Sequence, residues 1–236
     1  MRRIGKWTAS RYAAVAVAGL VGAAVISGCG QTRLGAAALY GSQRISSSKL
    51  ASEVANLNAG YEKYRGKVQL TYTKADMPQE VLTWLLRFAA FNQIAASHDI
   101  HVTPAEVQSQ LSALNSEVSQ NGDTLPEAAV GAGLPPNLIN ELGTWFAIET
   151  KLRDQLDNGV TPKSTTGSDK LDARVTHLQC LATKSLNVKV NPQYGVFDYG
   201  QLVVVSAPTR LSATSPAATP SASASASPKI QTTPKC

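Results

Sequence analysis

The stretch from Pro78 to Ile94 constrains the fold most, because apolar side chains cover almost every side of the helix that it predicts. A helix that is apolar all round must be buried on all sides. Proline is favoured at the first helical position, so the helix is expected to begin near Pro78. We therefore expect a mainly helical domain built around this helix, whose apolar residues are Val81, Leu82, Leu85, Leu86, Phe88 and Ile94.

Periodic apolar residues predict five further helices. A stripe from Leu50 to Tyr64 alternates spacings of four and three, after a Ser46–Ser48 run that can cap it. Thr103, Pro104 and Glu106 form a capping box with proline at the first position, and Asn121-Gly122 ends that helix. The remaining predicted helices are Leu125–Val130, a long one from Pro136 to Leu156, and a last one over Leu171–Ala182 after a polar loop at 160–169.

Strand signals occur only near the two ends of the domain. Short apolar or alternating runs lie beside turn residues at 37–40 and 187–190, and the run at 201–205 is rich in β-branched residues. We expect a small β-sheet in which the N-terminal strands pair with the C-terminal ones. This sheet would close the helical body.

The N-terminus has the features of a signal peptide. Four basic residues, Arg2, Arg3, Lys6 and Arg11, precede an uncharged run of fifteen residues from Tyr12 to Ile26. That run is shorter than the roughly 20 residues that a membrane-spanning helix needs. The sequence therefore predicts a signal peptide over residues 1–28, cleaved after Gly28.

Ile26, Ser27 and Gly28 lead directly into Cys29, which resembles a bacterial lipobox. The resemblance implies that the Cys29 thiol receives a diacylglyceryl group and becomes the new N-terminus. Two acyl chains suffice for stable anchoring, whereas a single chain binds only marginally. Residues 29–35 would then be a tether that holds the protein on the extracytoplasmic face of the cell membrane. The alternative is a chance cysteine in an uncleaved signal anchor.

The C-terminal segment from 207 to 236 consists mainly of Ser, Ala, Thr and Pro, and it is expected to be disordered. The formal net charge of +6 arises from this tail and from the signal peptide, so the domain at 36–206 is close to neutral. A nucleic-acid binder carries a basic patch on its folded domain. No such run occurs here, and we expect no nucleic-acid partner.

Several motifs in order resemble a known chaperone family. They are "RISSS" at 44–48, "HDIHVTPAEVQSQLSAL" at 98–114, the long helix that ends near Leu156, and "VNPQYGVFD" at 190–198. Together they are similar to the chaperone domain of the SurA, PrsA and trigger-factor group, and more narrowly to the SurA N-terminal-domain lipoproteins of actinobacteria. The resemblance implies a helical cradle that holds unfolded or partly folded secreted proteins.

Full members of that group carry a parvulin prolyl isomerase domain after the long helix. Here about a dozen residues, 158–169, occupy the insertion point, whereas a domain needs on the order of 100 residues. We therefore expect chaperone function without isomerase activity. The candidate lining of a peptide-binding groove consists of aromatic residues, for which the alternative is a place in the core: Tyr61, Tyr64, Trp84, Phe88, Phe91, Trp145 and Phe146.

A dedicated module that holds one envelope partner is the second functional hypothesis. Promiscuous binding surfaces are often rich in methionine, and this chain has only Met1 and Met77. Many clients would indicate a general holdase, and a single partner would indicate the dedicated module.

The sequence favours no enzyme, metal site or cofactor. His98 and His101 are close in sequence, but metal sites need three or four ligands, and exposed histidines at a helix junction are commoner. His177 and Cys180 could form a base and thiol pair, yet no orienting third group is evident. Cys180 and Cys236 could form a disulfide outside the membrane, or Cys236 could remain free or pair with another molecule.

Overall fold

The computed structural model describes residues 35–157, 165–207 and Cys236. The predicted signal peptide with its cleavage after Gly28, the lipidation site Cys29 and most of the tether and tail lie outside the described residues. The described chain is mainly helical with small antiparallel sheets, as predicted. In chain order its elements are β1 Ala36–Tyr40, β2 Gln43–Ser46, α1 Ser47–Lys63, α2 Met77–Ser97, α3 Pro104–Ser119, α4 Leu125–Gly131, α5 Ile139–Asp157, α6 Thr165–Leu186, β3 Lys189–Val190, β4 Val196–Asp198 and β5 Val203–Val205.

Helix α2 is the centre of the domain, as its apolar composition predicts. It contacts α1, α5 and α6, and strands β1 and β5 also lie against it. Val81, Leu82 and Ile94 are at most 1% exposed, although they lie on different sides of the helix. The hydrophobic core therefore forms around α2 in three adjoining clusters.

Local capping fixes the starts of the helices. The Ser46 hydroxyl accepts a hydrogen bond from the Lys49 main-chain N–H, which confirms the predicted cap of α1. The Thr103–Glu106 capping box of α3 is also present. A second box, Thr124–Glu127, begins α4 and was not predicted.

Two helix boundaries differ from the prediction. Helix α6 begins at Thr165, inside the predicted polar loop, and a 3-10 turn at Pro136–Leu138 precedes α5.

The strands form two separate sheets. Strand β1 lies between β2 and β3 and is antiparallel to both, with Ala38 opposite Val190. Strand β5 was expected to pair with the N-terminal strands, but it pairs with β4 in a two-stranded sheet of its own. Its position is fixed by α2, where the Thr83 hydroxyl accepts a 2.8 Å hydrogen bond from the Val204 N–H.

Among the described residues, no helix combines the length and the apolar character needed to cross a membrane.

Candidate functional site

Five of the seven predicted groove residues come together between α2 and α5. We call them the aromatic cluster: Trp84, Phe88, Phe91, Trp145 and Phe146. The Trp145 ring is the centre of the cluster, with its centroid 5.0 Å from that of Phe91 and 5.4 Å from that of Trp84. Phe146 stacks on Trp145 at 5.5 Å. Contacts of this kind add stability beyond the area that the rings bury.

The aromatic cluster is only partly accessible. Phe88 and Phe91 are 8% and 2% exposed, so they belong to the core and do not line an open surface. Trp84, Trp145 and Phe146 are half-buried. The Trp84 indole N–H donates to the Ala132 carbonyl at 2.9 Å, which fixes its ring against the loop after α4. The accessible part of the cluster is therefore a short strip of three aromatic side chains.

Tyr61 and Tyr64 lie apart from the aromatic cluster. Tyr61 is on the last turn of α1 and Tyr64 directly follows the helix, and both pack against the core that α1 forms with α2. The Lys74 ammonium lies 4.4 Å from the Tyr61 ring centroid, and that of Lys63 lies 5.0 Å from the Tyr64 ring centroid. The seven predicted residues thus do not line one continuous groove. Of the described large apolar side chains, only Leu181 is exposed.

Two recesses adjoin the exposed face of α2. A small cavity of about 60 Å³ is lined by Phe88, Phe91, Trp145 and Ile148 together with Asn92, Glu141 and Thr144. A wider cleft of about 450 Å³ lies between α2, the β1–β2 turn and the end of α6. Asn92 lines both recesses, so they are neighbours on the same face. We call the wider one the amide cleft, after the side chains of Gln43, Asn92 and Gln93.

A buried donor accompanies the aromatic cluster. The Trp145 indole N–H is inaccessible to solvent and has no hydrogen-bond partner among the described residues. Buried donors in native proteins are usually satisfied, since an unmade hydrogen bond costs about 1–3 kcal/mol.

Titratable groups with shifted pKa values lie near the strip, along the first half of α2. Burial and the nearby Glu80 carboxylate raise the pKa of Tyr72 to about 12, and the Tyr72 hydroxyl donates to the Val130 carbonyl. Burial raises the pKa of Glu80 and lowers that of Arg87, whose Nε donates to the Leu202 carbonyl. Tyr72 thus holds the loop after α1 against α4, and Arg87 holds the turn between β4 and β5 against α2.

A polar network around Glu53 was not predicted from the sequence. The Glu53 carboxylate is buried on α1 and accepts hydrogen bonds from Lys49, Asn56 and Asn137. Burial alone would raise the pKa of Glu53, but these three hydrogen bonds outweigh it and the pKa is lowered. The only signal in the sequence is the spacing of four between Lys49 and Glu53, which many exposed pairs share.

His98 and His101 lie at the junction of α2 and α3, and His177 lies on α6. His98 caps the end of α2, and the His101 Nε2 lies 3.0 Å from the exposed Asp99 carboxylate. No cluster of three potential ligands exists among the described residues. His177 is exposed on α6, and the nearby Cys180 is bonded to another cysteine and is not a free thiol.

Cys180 and Cys236 form a disulfide, with their Cα atoms 5.7 Å apart. The bond attaches the C-terminal residue to α6 beside a cleft of about 630 Å³. That cleft lies between α6 and the turn joining β4 to β5, and its lining includes Thr176, His177 and Tyr199.

No family model, curated protein or solved structure matches this chain.

Proposed function

We propose that the protein is an extracytoplasmic lipoprotein anchored in the cell membrane through Cys29. The support is the order of the N-terminal features: basic residues, an uncharged apolar run, and then Ile26-Ser27-Gly28-Cys29. Two acyl chains on Cys29 would hold the domain at the membrane surface through a short tether.

We further propose that the helical domain is a holdase, which binds unfolded or partly folded secreted proteins without isomerising or otherwise modifying them. The observation that carries this proposal is the strip of three half-buried aromatic side chains on the aromatic cluster. Aromatic side chains supply large apolar contact areas at little cost in conformational entropy. The proposal includes a helical body closed by strands from both ends of the domain, and the pairing of Ala38 with Val190 supports that closure.

The burial pattern favours a second candidate, a module dedicated to one envelope partner. A promiscuous binder needs a broad and adaptable apolar surface. Leu181 is the only exposed large apolar residue in the described part of the chain, and Met77 is buried. A short aromatic strip suits one matched partner better than many unrelated ones.

Aggregation suppression separates the two candidates. Residues 30–236, which contain the compact unit Arg33–Cys236, would be purified without lipid and mixed with several chemically unfolded secreted proteins. If light scattering falls for all of them at near-stoichiometric ratios, the holdase proposal is supported. If scattering is unchanged for all of them, general holding is wrong, and crosslinking on intact cells should then yield one dominant partner.

A further inference from the structure

Helix α2 is covered on most sides, and one strip of it remains open. Asn92, Gln93 and Ala96 are exposed and Ala89 is half-buried, although nine other residues of the helix are buried. These four residues form the floor of the amide cleft. The β1–β2 turn and the end of α6 form its walls, and the main-chain hydrogen bond from Gly41 N–H to the Leu186 carbonyl joins the two walls.

The lining of the amide cleft is uncharged. None of the described residues that border the cleft is Asp, Glu, Lys or Arg. The bordering residues are Tyr40, Gly41, Ser42, Gln43, Ala89, Asn92, Gln93, Ala96, Ser185 and Leu186. An ionised ligand would therefore find no opposite charge to compensate for its desolvation. The volume of about 450 Å³ falls within the range of ligand sites.

The amide groups in the cleft have capacity to bind. The Asn92 and Gln93 side chains make no hydrogen bond within the described structure, while the Gln43 carbonyl oxygen accepts one from the Tyr40 hydroxyl. A side-chain amide offers two N–H donors and one carbonyl acceptor. It can therefore pair with both the C=O and the N–H of a peptide unit.

We infer that the amide cleft binds an extended, uncharged stretch of polypeptide through its main chain. The inference rests on the proposed function and specifies that the domain binds the main chain of a client. Main-chain recognition is independent of sequence, which suits a holdase that has few exposed apolar residues.

The test compares two double variants. N92A/Q93A removes both unengaged amides from the cleft. N58A/Q108A is the matched control, because it removes an exposed Asn from α1 and an exposed Gln from α3, neither of which makes a hydrogen bond within the described structure. Ala96→Phe fills the same cleft without removing a polar group. Circular dichroism melting of all variants checks that the fold is retained.

Binding is measured by titration calorimetry with a capped synthetic peptide of Ala, Ser, Thr and Val, and with the same peptide N-methylated at alternate residues. We expect N92A/Q93A and Ala96→Phe to weaken binding on the order of tenfold, and N58A/Q108A to leave it unchanged. The N-methylated peptide should bind the wild type at least about tenfold more weakly, since it lacks main-chain donors.

Other outcomes overturn the inference. If the wild type suppresses aggregation and N92A/Q93A does so equally well, the cleft is not the client site, although the holdase proposal stands. If a neutral oligosaccharide binds in the cleft and the peptide does not, the cleft recognises sugars. If the wild type neither binds peptide nor suppresses aggregation, the proposed function fails together with the inference.

Discussion

Thr83 and Val204 are 121 positions apart in the chain, yet the buried Thr83 hydroxyl accepts a hydrogen bond from the Val204 main-chain N–H. The contact joins the central helix to strand β5. Thr83→Val removes the acceptor at nearly constant volume and leaves a buried N–H without a partner, so we expect a loss of about 1–3 kcal/mol in the free energy of unfolding. Urea denaturation measures it. Thr83→Ser keeps the acceptor and should lose clearly less, and equal losses in both variants would contradict this role of the hydroxyl.

Gly195 precedes β4 with a φ of +124° and lies against the Val205 carbonyl, so a Cβ at this position would clash with main-chain atoms. We expect Gly195→Ala to destabilise the fold by roughly 3 kcal/mol, from backbone strain and overpacking together. Gly122→Ala is the matched control, since its φ is +84° and a Cβ there would meet no described atom within 4 Å. Gly122→Ala reports backbone strain alone, whereas Gly195→Ala reports strain together with the clash, and thermal melting measures both variants. A smaller effect at Gly195 than at Gly122 would show that the contact with Val205 is unimportant.

Glu106 should make the domain sensitive to acid. A hydrogen bond from Lys151 and two from Thr103 lower the pKa of Glu106 to about 2 in the folded state. At pH values above the ordinary pKa of about 4.5, the ionised Glu106 therefore stabilises the folded state. This contribution to stability is lost as the pH falls from about 5 towards 2. Urea denaturation at several pH values should show Glu106→Gln less stable than the wild type at pH 7, with the difference shrinking in acid.

Glu117→Gln controls for the general effect of removing a carboxylate, because Glu117 is exposed on the same helix and has no ion-pair partner in the described structure. It should not reproduce the loss of stability that Glu106→Gln shows at pH 7. A constant difference between wild type and Glu106→Gln from pH 7 to 2 would show that Glu106 does not contribute through its charge.

The Cys180–Cys236 disulfide should contribute measurably to stability. It links residues 56 positions apart, and restricting the unfolded chain in this way is worth roughly 4 kcal/mol in the chain-entropy model. We expect the urea midpoint of the wild type to fall when a thiol reductant is added. The C180S/C236S variant should have the lower midpoint with or without reductant. An unchanged wild-type midpoint under complete reduction would show that the bond does not stabilise the domain.

Cys29→Ser tests the membrane anchor. In a bacterial host that processes lipoproteins, the wild type should partition with the membrane fraction and carry the mass of a diacylglyceryl group, whereas the variant should lose both properties. Cys236→Ser keeps the lipobox-like sequence and should behave like the wild type. A mature wild-type protein with an unmodified Cys29, measured by intact mass spectrometry, would contradict lipidation.

Local signals in the sequence predicted most of the helices. The boundary of α3 follows from Thr103, Pro104 and Glu106, which act within one turn, and the central place of α2 follows from its composition alone. The early start of α6 was missed because 160–169 is rich in polar residues of weak helix propensity. Tertiary packing further along α6, where Val175 is buried, compensates for that weakness.

Long-range contacts could not be predicted in the same way. The pairing of β5 with β4 is a local hairpin whose turn is held by the Asp198 carboxylate, whereas the contact of β5 with Thr83 spans 121 positions and no local pattern encodes it. The aromatic residues could be identified from the sequence, but their exposure could not, because periodicity shows which residues share a face and not what covers that face. Phe88 and Phe91 are buried by α5 and its neighbours, whereas Asn92 and Gln93 stay open.

The contact between Trp84 and Trp145 gives the domain an optical reporter of its own. Their ring centroids are 5.4 Å apart with planes inclined at 63°, and the only other tryptophan, Trp7, lies in the predicted signal peptide. The transitions of two indoles this close couple and excitation transfers between them, so near-ultraviolet dichroism and emission anisotropy depend on their separation. Any separation of α5 from α2, whether caused by a client, acid or denaturant, would therefore be visible without a label.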